Sequence, residues 1–93
     1  ELEARIVASR VPDLSQSLTD QLVRFVHAIR SLDLKKAPAI SETIDWAKSL
    51  ILLHANELEG NLVLDTLNVL LKYEEDIKIA EGQLPKLMTT ITA

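Results

Sequence analysis

The sequence predicts an all-α protein, a small helical bundle of four to six helices. Three observations lead there. Apolar residues recur at three- and four-residue spacing along most of the chain, and no segment alternates with period two for long enough to make a strand. Three prolines and two glycines fall mainly between the periodic stretches, where they act as punctuation. The length of 93 residues suits one domain, and a folded chain of 10.4 kDa is expected to expose about 5,400 Å², little enough to leave a modest core.

The elements follow in order. Residues 1–10 read as a short helix with Leu2 and Ile6 inward and Val7 beside them. Val11-Pro12-Asp13 ends it, because a residue before proline is pushed out of the α region. Ser15 and Ser17 are alternative N-caps for a second helix, whose stripe is Leu18, Leu22, Phe25, Val26, Ile29 and Leu32. Asp20, Gln21, Arg24 and Arg30 are expected on its solvated side. Residues 33–39, containing Pro38, form a connector. Ser41 is expected to cap a third helix, with Glu42 and Asp45 in its first turn, where the helix dipole favours carboxylates. Leu50-Ile51-Leu52-Leu53 makes the far half of that helix apolar all round, which predicts the buried centre of the bundle, with Leu50, Ile51 and Leu53 as core.

Asn61 is the expected cap of a fourth helix lined by Leu64, Leu67 and Leu71 and flanked by Val63 and Leu70. Glu74-Glu75-Asp76 opens the next helix, its carboxylates again at an N-terminus. Ile77, Ala80, Leu84, Leu87, Met88 and Ile91 keep helical phase to the end, but Pro85 inside one helix would cost about 3 kcal/mol. The expectation is one helix ending near Gly82 and a second starting near Leu84, with a single kinked helix as the alternative.

Composition narrows the chemistry. There is no cysteine, so disulfides, thiol catalysis and Cys-bound zinc are excluded. A net charge of −4 with one Phe, one Trp and one Tyr argues against nucleic acid as a partner. No apolar run approaches the roughly 20 residues of a membrane span, and the charged start is no signal peptide, so a cytoplasmic location without membrane contact is expected. Gly60 and Gly82 stand too far apart for a phosphate-cradling loop, so the 93 residues are not expected to be an enzyme by themselves, and no catalytic residue is assigned. His54 and Glu57 have i,i+3 spacing, but a di-metal site in a bundle needs a second such pair and two more inward carboxylates; no metal site is assigned. His27 has no triad partner, and Lys35-Lys36 with Arg30 reads as a solvated basic loop.

Three stretches carry a resemblance. Leu32-Asp33-Leu34-Lys35-Lys36-Ala37-Pro38, followed by Glu42-Thr43-Ile44-Asp45-Trp46-Ala47-Lys48-Ser49-Leu50, resembles the C-terminal helical lid of one branch of the MoxR-type AAA+ ATPases. Glu3-Ala4-Arg5-Ile6-Val7 and Val11-Pro12-Asp13-Leu14-Ser15 are similar to the helix and turn that enter that lid. Leu67 to Ile77, including Leu70-Leu71-Lys72-Tyr73, is similar to its continuation. The resemblance covers residues 1 to about 78, and the Glu-Thr-Ile-Asp-Trp-Ala run is its specific part.

What the resemblance implies is a lid, residues 1–93, of a longer ATP hydrolase whose α/β core would precede residue 1. ATP and magnesium would be held by that core, and the lid itself would have no cofactor. The lid would close over the nucleotide and couple its state to neighbouring subunits of a chaperone-like remodelling ring. Its partners would be its own core, those subunits and a protein with a von Willebrand A domain. Lys36, Glu42, Thr43, Asp45, Trp46 and Lys48 are the implied nucleotide-cleft or interface residues. Many such lids carry an arginine in the first turn of the third helix; Thr43 stands there, and Lys36 and Lys48 are the nearest cations. The rival expectation is a free-standing helical adaptor for protein interactions, with no nucleotide role.

Overall fold

The computed structural model describes residues 2–92. Among them are six helices: α1 Leu2–Arg10, α2 Gln16–Arg30, α3 Ile40–Leu52, α4 Gly60–Leu70, α5 Glu74–Gly82 and α6 Leu84–Thr92. No strand occurs among the described residues. The helices enclose one core built on Phe25, Trp46, Leu18, Leu22, Ile29, Leu50 and Leu67, all of them almost fully buried. α2 packs most extensively against α6, and α3 against α4, while α1 lies over both α2 and α3. The exposed surface is 5456 Å², which matches the expected value of about 5,400 Å² for a monomer of this mass.

α1 is rotated from its expected face. Its inward stripe is Glu3, Val7 and, just beyond the helix, Val11, spaced by four residues; Leu2 is 72% exposed and Ile6 only half-buried. The expectation for Glu1 lies outside the described residues. In α2, Ser15 rather than Ser17 is the cap: the Leu18 backbone N–H donates to Ser15 Oγ at 3.1 Å. The inward face of α2 is as expected, except that Leu32, beyond the helix, is only half-buried. The solvated side is not. Gln21 is half-buried and its Oε1 accepts the Leu58 N–H at 2.9 Å, while Arg30 turns inward, as described below.

α3 begins earlier than Ser41. Its N-cap is Ala39, which has no capping oxygen, so Glu42 reaches back and its Oε1 accepts the Ala39 N–H at 2.7 Å. Thr43, Ile44, Trp46, Ala47 and Leu50 face inward. The far half is not the centre of the bundle. Its neighbours α1, α2 and α4 cover one side only and leave the stripe Ser41, Asp45, Lys48, Leu52 in solvent. Ile51 is half-buried, whereas Leu52 and Leu53 are 80% and 54% exposed. The helix closes with a Schellman motif, Ala55 N–H to Leu50 O and His54 N–H to Ile51 O, both 3.0 Å. His54 occupies the left-handed position, φ 57°, where glycine is usual and a side chain costs about 1 kcal/mol.

α4 is capped at Glu59, not Asn61, which lies exposed in the first turn. Leu67 faces inward and Leu71 is buried just past the end, as expected, with Val63, Thr66 and Leu70 beside them, but Leu64 is 40% exposed and does not belong to the inward stripe. Gln83 separates α5 from α6, and Pro85 falls in the first turn of α6, where no backbone N–H is needed. The break near Gly82 is therefore where the sequence places it. Among the described residues no helix is long and apolar enough to cross a membrane.

Candidate functional site

The implied site residues divide into a buried and an exposed group around the start of α3. Thr43 and Trp46 are fully buried. Glu42 is half-buried, and Lys36, Asp45 and Lys48 are exposed. Trp46 does not sit at the edge of a cleft: it is in the core, its ring centroid 5.4 Å from that of Phe25. Its Nε1–H donates to Thr66 Oγ1 at 2.7 Å, and the Thr66 hydroxyl in turn donates to Leu62 O at 2.8 Å. The indole is thus satisfied in the apolar interior, as a buried N–H must be.

Thr43 belongs to a polar cluster that sequence reasoning missed. Its centre is Glu3, only 6% exposed on the inward stripe of α1. The Arg30 guanidinium grips both carboxylate oxygens, Nη1–H to Oε1 and Nη2–H to Oε2, the latter at 2.8 Å. The Thr43 hydroxyl shares its one proton between Glu3 Oε2 at 3.1 Å and Ala39 O at 3.2 Å. His27 Nε2 lies 3.1 Å from Glu3 Oε1. Arg30 Nε–H also donates to Pro38 O at 2.9 Å, so one guanidinium ties α1, α2 and the connector together. Burial pushes the Glu3 carboxyl up, but Arg30, with Thr43 and His27, outweighs it and holds the group below its ordinary range. A signal for this cluster was present. Arg30 follows Val26 and Val23 by four and seven residues, and Thr43 precedes Ala47 and Leu50 by the same intervals, so both border apolar stripes.

The exposed group sits on a fixed backbone. Asp76, 1% exposed in the first turn of α5, accepts the N–H groups of Lys35 at 2.8 Å and Lys36 at 3.0 Å. Lys35 Nζ lies 4.9 Å from the Tyr73 ring centroid and 3.6 Å from Glu75 Oε2. Lys72 Nζ stands 3.7 Å from Glu42 Oε2. The Ala39 N–H bond lowers the Glu42 carboxyl, partial burial opposes it, and Lys72 and Lys36 add to the lowering. Lys36, Lys72 and Glu42 therefore gather at the N-terminal end of α3, and Asp45 and Lys48 lie along the outer stripe of the same helix. Arg30, bound to Glu3, is not part of a basic loop with Lys35 and Lys36. Among the described residues no three of His, Cys, Asp and Glu come close enough to hold a metal ion.

The chain matches no protein-family model, no curated protein and no solved structure.

Proposed function

We propose that the chain is the helical lid of a MoxR-type AAA+ ATPase, working in the cytoplasm. In this reading the lid closes over ATP and magnesium held by an α/β core that precedes residue 1, and it couples the nucleotide's state to neighbouring subunits of a remodelling ring that acts on a protein with a von Willebrand A domain. One observation carries the reading. The residues of the resemblance, Pro38, Glu42, Thr43, Trp46 and Asp76, each have a defined bond or contact in one bundle, so the motif is spent on positioning the start of α3. That division of labour supports a surface presented by a rigid scaffold: Lys36 on a backbone pinned by Asp76, and Asp45 and Lys48 on an outer stripe that no other helix covers.

The buried members of the motif keep the lid folded, and the exposed cations Lys36 and Lys48 face the phosphates in place of the arginine common in such lids. The test uses the protein joined to its core. Lys36→Ala and Lys48→Ala should each lower ATP turnover about tenfold or more, the loss of one charge-assisted contact. The denaturation midpoint of the 93-residue chain should stay within about 0.5 kcal/mol, as for other exposed substitutions. Parental turnover in both variants, or no Walker A motif in the coding sequence upstream of Glu1, would overturn the lid reading. The adaptor reading has one observation of its own, the exposed leucines at the end of α3.

A further inference from the structure

At the turn between α3 and α4, Leu52 and Leu53 stand side by side, 80% and 54% exposed. His54, next to them, takes a left-handed conformation that glycine would adopt without strain. Glycine at 54 would remove that strain, and two adjacent exposed leucines leave apolar surface in water. Two concavities flank this tip, of about 340 and 310 Å³, and share His54, Ala55 and Asn56 in their walls. Glu57 and Glu59 line one and Asp13 the other, and neither wall contains a lysine or arginine. The tip is therefore an apolar knob whose flanking hollows are acidic, with Lys48 as the cation one turn before Leu52 on the outer stripe. It calls for a surface that is apolar in the middle and basic around it.

The chain carries such a surface. The outer face of α1 has a shallow concavity of about 240 Å³ lined by Arg5, Ile6, Ser9 and Arg10. Ile6 forms its apolar part, and the exposed side chains of Arg5 and Arg10 stand on either side. Leu2, one turn before Ile6 on the same face, is 72% exposed. We propose that these two surfaces are the halves of one interface between copies of this chain: the Leu52–Leu53 knob of one copy seats against Ile6 of the next, with Glu57 and Glu59 facing Arg5 and Arg10. A basic amphipathic segment of another protein would match the tip equally well, but it would leave the α1 face without a counterpart; a second copy accounts for both.

The contact is heterologous, since different surfaces meet, so copies add head to tail and form a ring or an open row. One helix end against one short helix covers well under about 1,200 Å², the class of weak contacts, so association is expected from tens of micromolar upward. Salt should weaken it, because exposed ion pairs are screened. The inference concerns the chain itself and stands or falls separately from the lid reading.

Sedimentation equilibrium on the 93-residue chain, from about 10 μM to about 1 mM and at low and high salt, tests it. The weight-average mass should rise above 10.4 kDa with concentration at low salt and fall back at high salt. Leu52→Asp should hold the mass at the monomer value with an unchanged helical spectrum. So should the pair Glu57→Lys and Glu59→Lys in one chain, and the pair Arg5→Glu and Arg10→Glu in another. Mixing the two charge-reversed chains should restore association. A constant 10.4 kDa at every concentration, association that survives Leu52→Asp, or charge-reversed chains that stay apart when mixed would each overturn the proposal. A chain that remains monomeric yet binds a basic amphipathic peptide would overturn it too, in favour of a foreign partner.

Discussion

The two ends of α3 are built on opposite plans. At its start, each of the polar groups that turns inward has a partner. Glu42 supplies the cap that Ala39 lacks, Thr43 reaches the Glu3–Arg30 pair, and Trp46 is anchored on Thr66. At its end, two leucines lie in solvent, and the turn depends on a histidine in a conformation that suits glycine. The sequence is richer in apolar residues at the end than at the start, yet the start is the better buried. Burial is decided by which neighbours reach a helix turn, and α1, α2 and α4 reach the first three turns on one side only. An all-round apolar run is a reliable sign of the interior only when helices surround it.

The comparison is sharpest for leucines one turn apart. Leu50→Ala should lower stability by about 2–5 kcal/mol, the cost of a cavity at a fully buried site, whereas Leu53→Ala should change it by no more than about 0.5 kcal/mol. Urea titration of both variants measures the difference, and equal shifts would show that the end of α3 is buried in solution. Arg30→Ala should cost about 3 kcal/mol, near the lower bound for breaking a buried ion pair, because the arginine side chain is 29% exposed and water can partly replace it. Thr43→Ala should cost about 1–2 kcal/mol through the lost hydroxyl bond to Glu3.

The Glu3 cluster also predicts a pH dependence. Its carboxyl is lowered in the folded chain, so the stability it contributes is fully present above the unfolded value of about 4.3 and is lost as pH falls through the lower folded value. Unfolding midpoints measured between neutral pH and about pH 3 should fall less steeply for Glu3→Gln than for the parent chain. The smallest effect is at the other end of the helix. His54→Gly should raise stability by about 0.5–1 kcal/mol by relieving the left-handed backbone, visible as a small upward shift in thermal midpoint.

The helical class, the break after Gly82 and most of the α2 face were legible because they rest on local periodicity and on proline. The cap of α3 was not. Ser41 is the better capping residue in isolation, but Pro38 and the Arg30 bond to its carbonyl fix the chain so that the helix starts at Ile40. Glu3 was unreadable as a core residue because a carboxylate is buried only beside its partner, and that partner lies 27 residues away. For the site, the residues of the α3 turn were found, but their division into buried scaffold and exposed surface was not. Thr43 and Trp46 fall on the face of Ala47 and Leu50 and Asp45 and Lys48 on the outer one, but the all-round apolar run at the far end of α3 hides which face is inward.

The pairing of α2 with α6 imposes an order on synthesis. The apolar face of α2 is complete by residue 30, but the helix it packs against most extensively ends at Thr92. Likewise the connector amides of Lys35 and Lys36 wait for Asp76, about forty residues downstream in the chain. A chain stopped near Gly82 therefore lacks the helix that α2 packs against most extensively, and presents that part of the α2 face to chaperones instead of to α6.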